Sequence, residues 1–170
     1  SYDFEVNIHL WEHNYRTIFS ANQVIARVPA IEMDATERAR FVAEAKFIRA
    51  LSYYNLVTLF ENIPLVTVPL TATDRPPTAT PEAVWAQIEQ DLTEAQADLP
   101  VSYSGADIGR ATKGAALGLL GKAHLQQREW ADAATRFAAV VAGPYTLMED
   151  YGENFRVSGD NNAESIFEVQ

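Results

Sequence analysis

The sequence predicts an all-α protein, a right-handed stack of helical hairpins with irregular loops and an irregular tail. Three observations carry this. Apolar residues recur at helical spacing, as in Trp11, Tyr15, Ile18 and Ile25. Capping residues stand directly ahead of such runs at Asp34 and Thr80. Small residues on one run (Gly121, Ala123) face bulky ones on the next (Trp130, Phe137) across a short polar turn at Gln126 to Glu129.

The elements follow in order. Residues 4–27 form a first helix that Pro29 ends. Asp34 with Glu37 three residues on has the capping-box arrangement, opening a long helix to about Phe60. Phe41, Ala45, Ile48, Leu51, Leu56 and Leu59 are its predicted core face. Ile63-Pro64-Leu65-Val66 breaks out as an extended crossing, and the Pro- and Thr-rich residues 69–81 read as a surface loop. Thr80 as N-cap and Pro81 at the first helical position start a third helix, which stops at Pro100. A polar loop covers 101–110, and helices at about 112–127 and 131–142 complete a hairpin closed by Gly143-Pro144. The remainder reads as irregular, with Ser165 to Val169 as a strand cut off in mid-pattern.

Within this order lies a diverged internal repeat. Ile48-Arg49-Ala50 matches Gly121-Lys122-Ala123 as the middle of a helix A, and Trp85, Ile88, Leu92, Ala95 and Pro100 match Trp130, Ala133, Phe137, Ala139 and Pro144 as a helix B. The pattern resembles the tetratricopeptide repeat, so the fold is a tetratricopeptide-like α-α superhelix. The chain forms a single domain, 1–170, whose first hairpin carries a long inserted loop at 61–80. The predicted core contains Trp85, Trp130, Phe137, Leu120, Ile48 and Leu51. Trp130→Ala should cost about 3–5 kcal/mol if that ring is fully buried.

Composition bounds the function. A hydrophobic content of 48% with 21% charged residues is that of a globular domain. The net charge of −10 argues against nucleic acid or an anionic membrane surface as partner. With no cysteine, thiolate chemistry is excluded. No apolar run reaches the roughly 18 residues of a membrane-spanning helix.

Candidate sites are few. His9-Leu10-Trp11-Glu12-His13 matches the H-x-x-E-H zinc-peptidase motif, with both imidazoles on one helical face and Glu12 as general base. It lacks an evident third ligand, and Trp11 reads as a core anchor. Tyr2, Tyr53, Tyr54, Tyr103, Tyr145 and Tyr151 have rings able to stack on sugars. Helical spacing assigns Tyr53 and Tyr54 to the core, which leaves Tyr103, beside Asp107 in the polar loop, as the candidate ligand contact. Asp160 to Glu164 has oxygen ligands suited to calcium but lacks the loop's glycine and distal glutamate, so it reads as a solvated turn. Gly114, Gly118 and Gly121 read as sites of close helix approach, since no phosphate-loop spacing surrounds them. No catalytic, metal or cofactor residue is assigned.

Several blocks occur together in one order: Trp11-x3-Tyr15-x2-Ile18-x2-Ala21-Asn22, Ala43-Glu44-Ala45-Lys46-Phe47-Ile48-Arg49-Ala50-x2-Tyr53-Tyr54, Phe60-Glu61-Asn62-Ile63-Pro64-Leu65-Val66, Gly109 to Ala116, Tyr145-x-Leu147 and Glu164 to Glu168. This order is similar to the SusD/RagB family, the surface glycan-binding lipoproteins of Bacteroidetes. The family usually has Gly in the place of Glu61, and its members are about three times this length on the domain-size scale. The resemblance implies the central tetratricopeptide portion of a longer, lipid-anchored, surface-exposed outer-membrane protein. It implies no catalysis and no cofactor, but oligosaccharide capture for a TonB-dependent, SusC-like transporter. No glycan-binding residue carries over by position, and self-association is expected of a piece whose apolar face is uncovered. Two alternatives stand beside it: the zinc peptidase of His9, Glu12 and His13, and a tetratricopeptide adaptor whose Arg110, Lys113 and Lys122 clamp an acidic peptide or protein partner.

Overall fold

The computed structural model describes residues 2–168, with side chains from residue 8 onward. Five α-helices lie among them: α1 (Tyr2–Arg27), α2 (Ala35–Phe60), α3 (Pro81–Asp98), α4 (Lys113–Gln126) and α5 (Trp130–Val141). Each packs on its neighbours in chain order, so the helices form a linear stack in which α2 and α3 are the first hairpin and α4 and α5 the second.

Local chemistry sets the helix ends. The Asp34 carboxylate accepts from the amides of Thr36 and Glu37, at 2.9 and 3.0 Å. Thr80 caps α3 through the Ala83 amide, and Thr112 caps α4 through that of Ala115. These hydroxyls and carboxylates satisfy amides that a helix start leaves unpaired. At the other end of α2, Glu61 takes φ 58°, a backbone region that favours glycine. Gly, usual here in the resembling family, would remove that strain.

The inserted loop is closed at its neck by an antiparallel ladder that sequence periodicity did not reveal: β1 (Ile63–Pro64) pairs with β2 (Thr78–Ala79), Ile63 opposite Ala79. The expected strand at Ser165 to Val169 does not form among the described residues. Residues 165–168 run irregularly with no partner strand, and Val169 lies outside the description.

The core runs along the stack through Phe47, Tyr53, Leu56, Ile63, Ile88, Leu92 and Leu120. Ile48, Leu51 and Trp85 are half-buried against it, Trp85 meeting Tyr54 edge-on at 5.6 Å. Leu59, assigned to the core face of α2, is exposed. Trp130 corrects the repeat alignment more sharply, with 61% of its surface exposed. It opens α5, the last helix of the stack, whose inner face is Ala133, Phe137 and Val140 against α4. The condition for a 3–5 kcal/mol cost on removing Trp130, full burial, is not met.

Two of the three α4 glycines have the close neighbour that offsets their helix cost. A methyl on Gly121 would stand 2.6 Å from the Phe137 ring, and one on Gly114 would overlap the Tyr145 hydroxyl. Gly118 has nothing within 4 Å. Gly121→Ala should therefore destabilise by about 1–3 kcal/mol, and Gly118→Ala should stabilise by about 1 kcal/mol. Urea unfolding of the two variants decides; equal effects would refute the close approach at Gly121.

Candidate functional site

The loop between α3 and α4 is held at both ends before any ligand is considered. The Lys113 amide donates to the Pro100 carbonyl at 2.8 Å, tying off its base. Gly105 and Gly109 turn it with φ of 63° and 96°. This shape lays Tyr103 across α2, where its hydroxyl donates to Glu44 Oε1 at 2.7 Å. Arg110 Nε reaches the same oxygen at 3.4 Å and its Nη1 reaches Asp107 at 3.2 Å. The guanidinium groups of Arg40 and Arg110 both lie over the Phe41 ring, at 5.1 and 5.9 Å.

Tyr103 and Asp107 are thus brought to one side-chain network through Arg110. Burial, and then the Glu44 carboxylate, push the Tyr103 phenol well above its ordinary range, so it remains a donor. Tyr103, Arg110 and Tyr145 line a cleft of ≈ 250 Å³ together with Asn162 and Phe167 from the tail. Tyr145 arrives there because its hydroxyl pairs with Thr112 at 3.0 Å. The flat rings of Tyr103 and Tyr145 beside one cleft suit the apolar face of a sugar ring, while Arg110 and Asn162 there are committed to Glu44, Asp107 and the 160–164 turn. Glu44 and Arg40 were missed by sequence reasoning, because Tyr103 lies 59 residues beyond Glu44 and further still beyond Arg40.

The other candidates disperse. His9 and His13 are exposed with ring centres 6.2 Å apart, and Glu12 pairs with Arg16 at 3.6 Å. Among the described residues no further metal ligand joins them. Tyr53 is buried, Tyr151 stacks edge-on with Phe155, and the side chain of Tyr2 lies outside the description. In the 160–164 turn, the Glu164 carboxylate accepts from the Asn154 side chain and then the Met148 amide, which together hold it below the usual carboxylate range. Asn162 Oδ1 accepts from two amides, so these oxygens serve the turn itself. In the 69–80 loop, Asp74 accepts from the amide and hydroxyl of Thr71, which lowers its pKa, and Arg75 folds back on the Ala72 carbonyl.

The adaptor reading needs an open groove along the A helices. Phe167 packs edge-on against Phe47 at 4.9 Å and, with Ile166, lines the apolar groove that Lys122 borders between α2 and α4. Lys113 and Lys122 are exposed, while Arg110 is engaged with Glu44 and Asp107. The chain's own tail occupies the ground an acidic peptide would need.

Stacked helical hairpins carrying a loop-built cleft define a helical-repeat protein. The family described as SusD-like, starch-binding and associating with the outer membrane, matches residues 1–125. The chain belongs to this SusD-like family. It is 31% identical over 163 residues to the SusD-like protein P25 of Formosa agariphila, covering 94% of this chain and 31% of that one. It is 28% identical over 143 residues to the starch-binding protein SusD of Bacteroides thetaiotaomicron, covering 81% and 25% respectively. A solved laminarin-binding SusD-like protein superposes with a TM-score of 0.88 at 40% identity, over 93% of this chain and 36% of that chain. The chain therefore spans about a third or less of the length of these relatives.

Proposed function

We propose that this chain is the tetratricopeptide-bearing part of a cell-surface protein that binds oligosaccharide without chemically altering it. The observation that carries the reading is the family match over residues 1–125, supported by sequence similarity to a protein named for starch binding and a like fold in one named for laminarin binding. In the whole protein, a lipid anchor outside this chain would hold it on the outer membrane, where it would pass oligosaccharide to a TonB-dependent, SusC-like transporter. No helix of the described residues is long and apolar enough to cross a membrane.

Within the chain, the Tyr103–Asp107 loop with its cleft and the 69–80 loop are the places for sugar contact. Calorimetry with laminarin and starch oligosaccharides tests this. Weak binding, reduced by Tyr103→Ala, is the expected result, because two loops supply only part of an enclosing site. Micromolar affinity for an acidic C-terminal peptide, weakened by Lys113→Ala and Lys122→Ala, would instead establish the adaptor.

Self-association belongs to the same proposal. Trp130, Val141, Leu147, Phe155 and Val157 are all exposed, and exposed apolar side chains in number favour association. Light scattering at low concentration should find species larger than one chain. A clean monomer that binds a glycan tightly would locate the full site within these helices and loops.

A further inference from the structure

Glu89 of α3, His124 near the end of α4 and Glu129, the residue that precedes α5, converge although 35 and 5 residues separate them along the chain. A ring nitrogen of His124 and one carboxylate oxygen from each glutamate lie within 4.8 Å of one another. The turn between the helices builds this. Arg128 takes φ 65°, which folds the chain back so that the Glu129 amide donates to the His124 carbonyl at 2.9 Å. The Glu129 carboxylate then meets His124 Nδ1 at 2.6 Å. From the other side, the Gln127 amide donates to Glu89 Oε1 at 2.5 Å and brings that carboxylate in.

The imidazole is committed to this cluster. His124 is 8% exposed, and its Nε2 is buried with no hydrogen-bond partner. Its Nδ1 faces the Glu129 carboxylate, with a Glu89 oxygen within 4.8 Å. Glu129 stands at the surface, which leaves an approach open to an ion and a place for water. Two carboxylates sharing one imidazole hold a surplus of negative charge on a chain of net charge −10.

We propose that Glu89, His124 and Glu129 bind one divalent transition-metal ion of the zinc class, with water completing the coordination. One imidazole and two carboxylates form a donor set that suits zinc; calcium and magnesium take oxygen ligands almost alone. The ion replaces the proton between His124 and Glu129 and draws Glu89 in from α3. It thereby clamps the first hairpin to the turn of the second, a structural role separate from sugar binding.

The test is calorimetric titration of the 170-residue chain, freed of metal with a chelator, using zinc chloride in a non-coordinating buffer. Thermal unfolding is followed alongside. One equivalent should bind and raise the melting temperature, as any ligand selective for the folded state does. Glu89→Gln and Glu129→Gln, at half-buried and exposed positions respectively, should each weaken binding about tenfold or more. His124→Gln should abolish it. Calcium should give no heat. Absence of zinc binding overturns the proposal, as does one-equivalent binding that survives both glutamate variants. Binding lost in His9→Ala would assign the ion to α1 and overturn it equally.

Discussion

Replacing Asp91 with alanine is expected to destabilise the fold by about 3–5 kcal/mol, the usual cost of stranding one member of a buried ion pair. Asp91 and Arg49 are 1% and 4% exposed. The guanidinium grips the carboxylate through two bonds, Nε to Oδ2 at 2.8 Å and Nη2 to Oδ1 at 2.7 Å. Burial pushes the Asp91 carboxyl up and the Arg49 bonds pull it back. Arg49 Nη1 also donates to Asn22 Oδ1 at 2.7 Å and to the Thr67 carbonyl at 3.1 Å. One side chain thus joins α1, α2, α3 and the crossing from which the 69–80 loop departs. With Asp91 gone, the charge stays buried and unpaired. Urea unfolding measures the loss, and a value under about 1 kcal/mol would mean that water reaches Arg49. The double change Arg49→Met with Asp91→Leu should recover most of the loss, because the large cost comes from the orphaned charge.

Tyr53→Ala is the second large effect, about 3–5 kcal/mol for deleting a fully buried aromatic. Tyr53 is 0% exposed, and its hydroxyl both donates to the Val66 carbonyl at 2.8 Å and accepts from the Val66 amide at 2.6 Å. Tyr53→Phe keeps the ring and should cost about 1–3 kcal/mol, mostly for the unpaired Val66 amide. The carbonyl keeps a second donor in Asn22. Faster hydrogen exchange at Val66 in Tyr53→Phe would localise the loss to the crossing.

Alkaline pH gives an independent reading. Burial, ahead of other causes, raises the Tyr53 phenol from 10.0 to about 12. The unfolded chain therefore releases its proton first, and the stability this group contributes is full below pH 10 and lost as pH rises from about 10 to 12. Tyr15 and Tyr103, also raised, act in the same direction. Tyr53→Phe should flatten part of that decline; an unchanged slope would show that the Tyr53 hydroxyl is solvated.

Helix positions were legible because their determinants are local. Asp34 and Thr80 cap amides two or three residues on, and Pro81 and Pro100 bracket α3 by fixing their own backbone. Gly121 was read correctly as a contact glycine, but Gly118 was not, since neither reveals in sequence whether a side chain opposes it. The candidate site was half legible. A polar, glycine-containing loop marked Tyr103 and Asp107, while the network that holds them needed Glu44 and Arg40 from another helix.

By itself, then, the sequence determined where the helices start and stop, that they pair as hairpins, and which family the pattern resembles. Those properties arise from interactions within a few residues and from the 3.6-residue period. Only the tertiary structure decided which faces are covered. Arg49 is buried because Asp91 waits 42 residues away, and Ile63 pairs because Ala79 returns beside it. Trp130 stays exposed because α5 turns Ala133 and Phe137 towards α4 instead, and Glu89 meets His124 because α3 packs on α4. Burial and convergence depend on what a distant segment brings into contact, and that partner is absent from any local window of the chain.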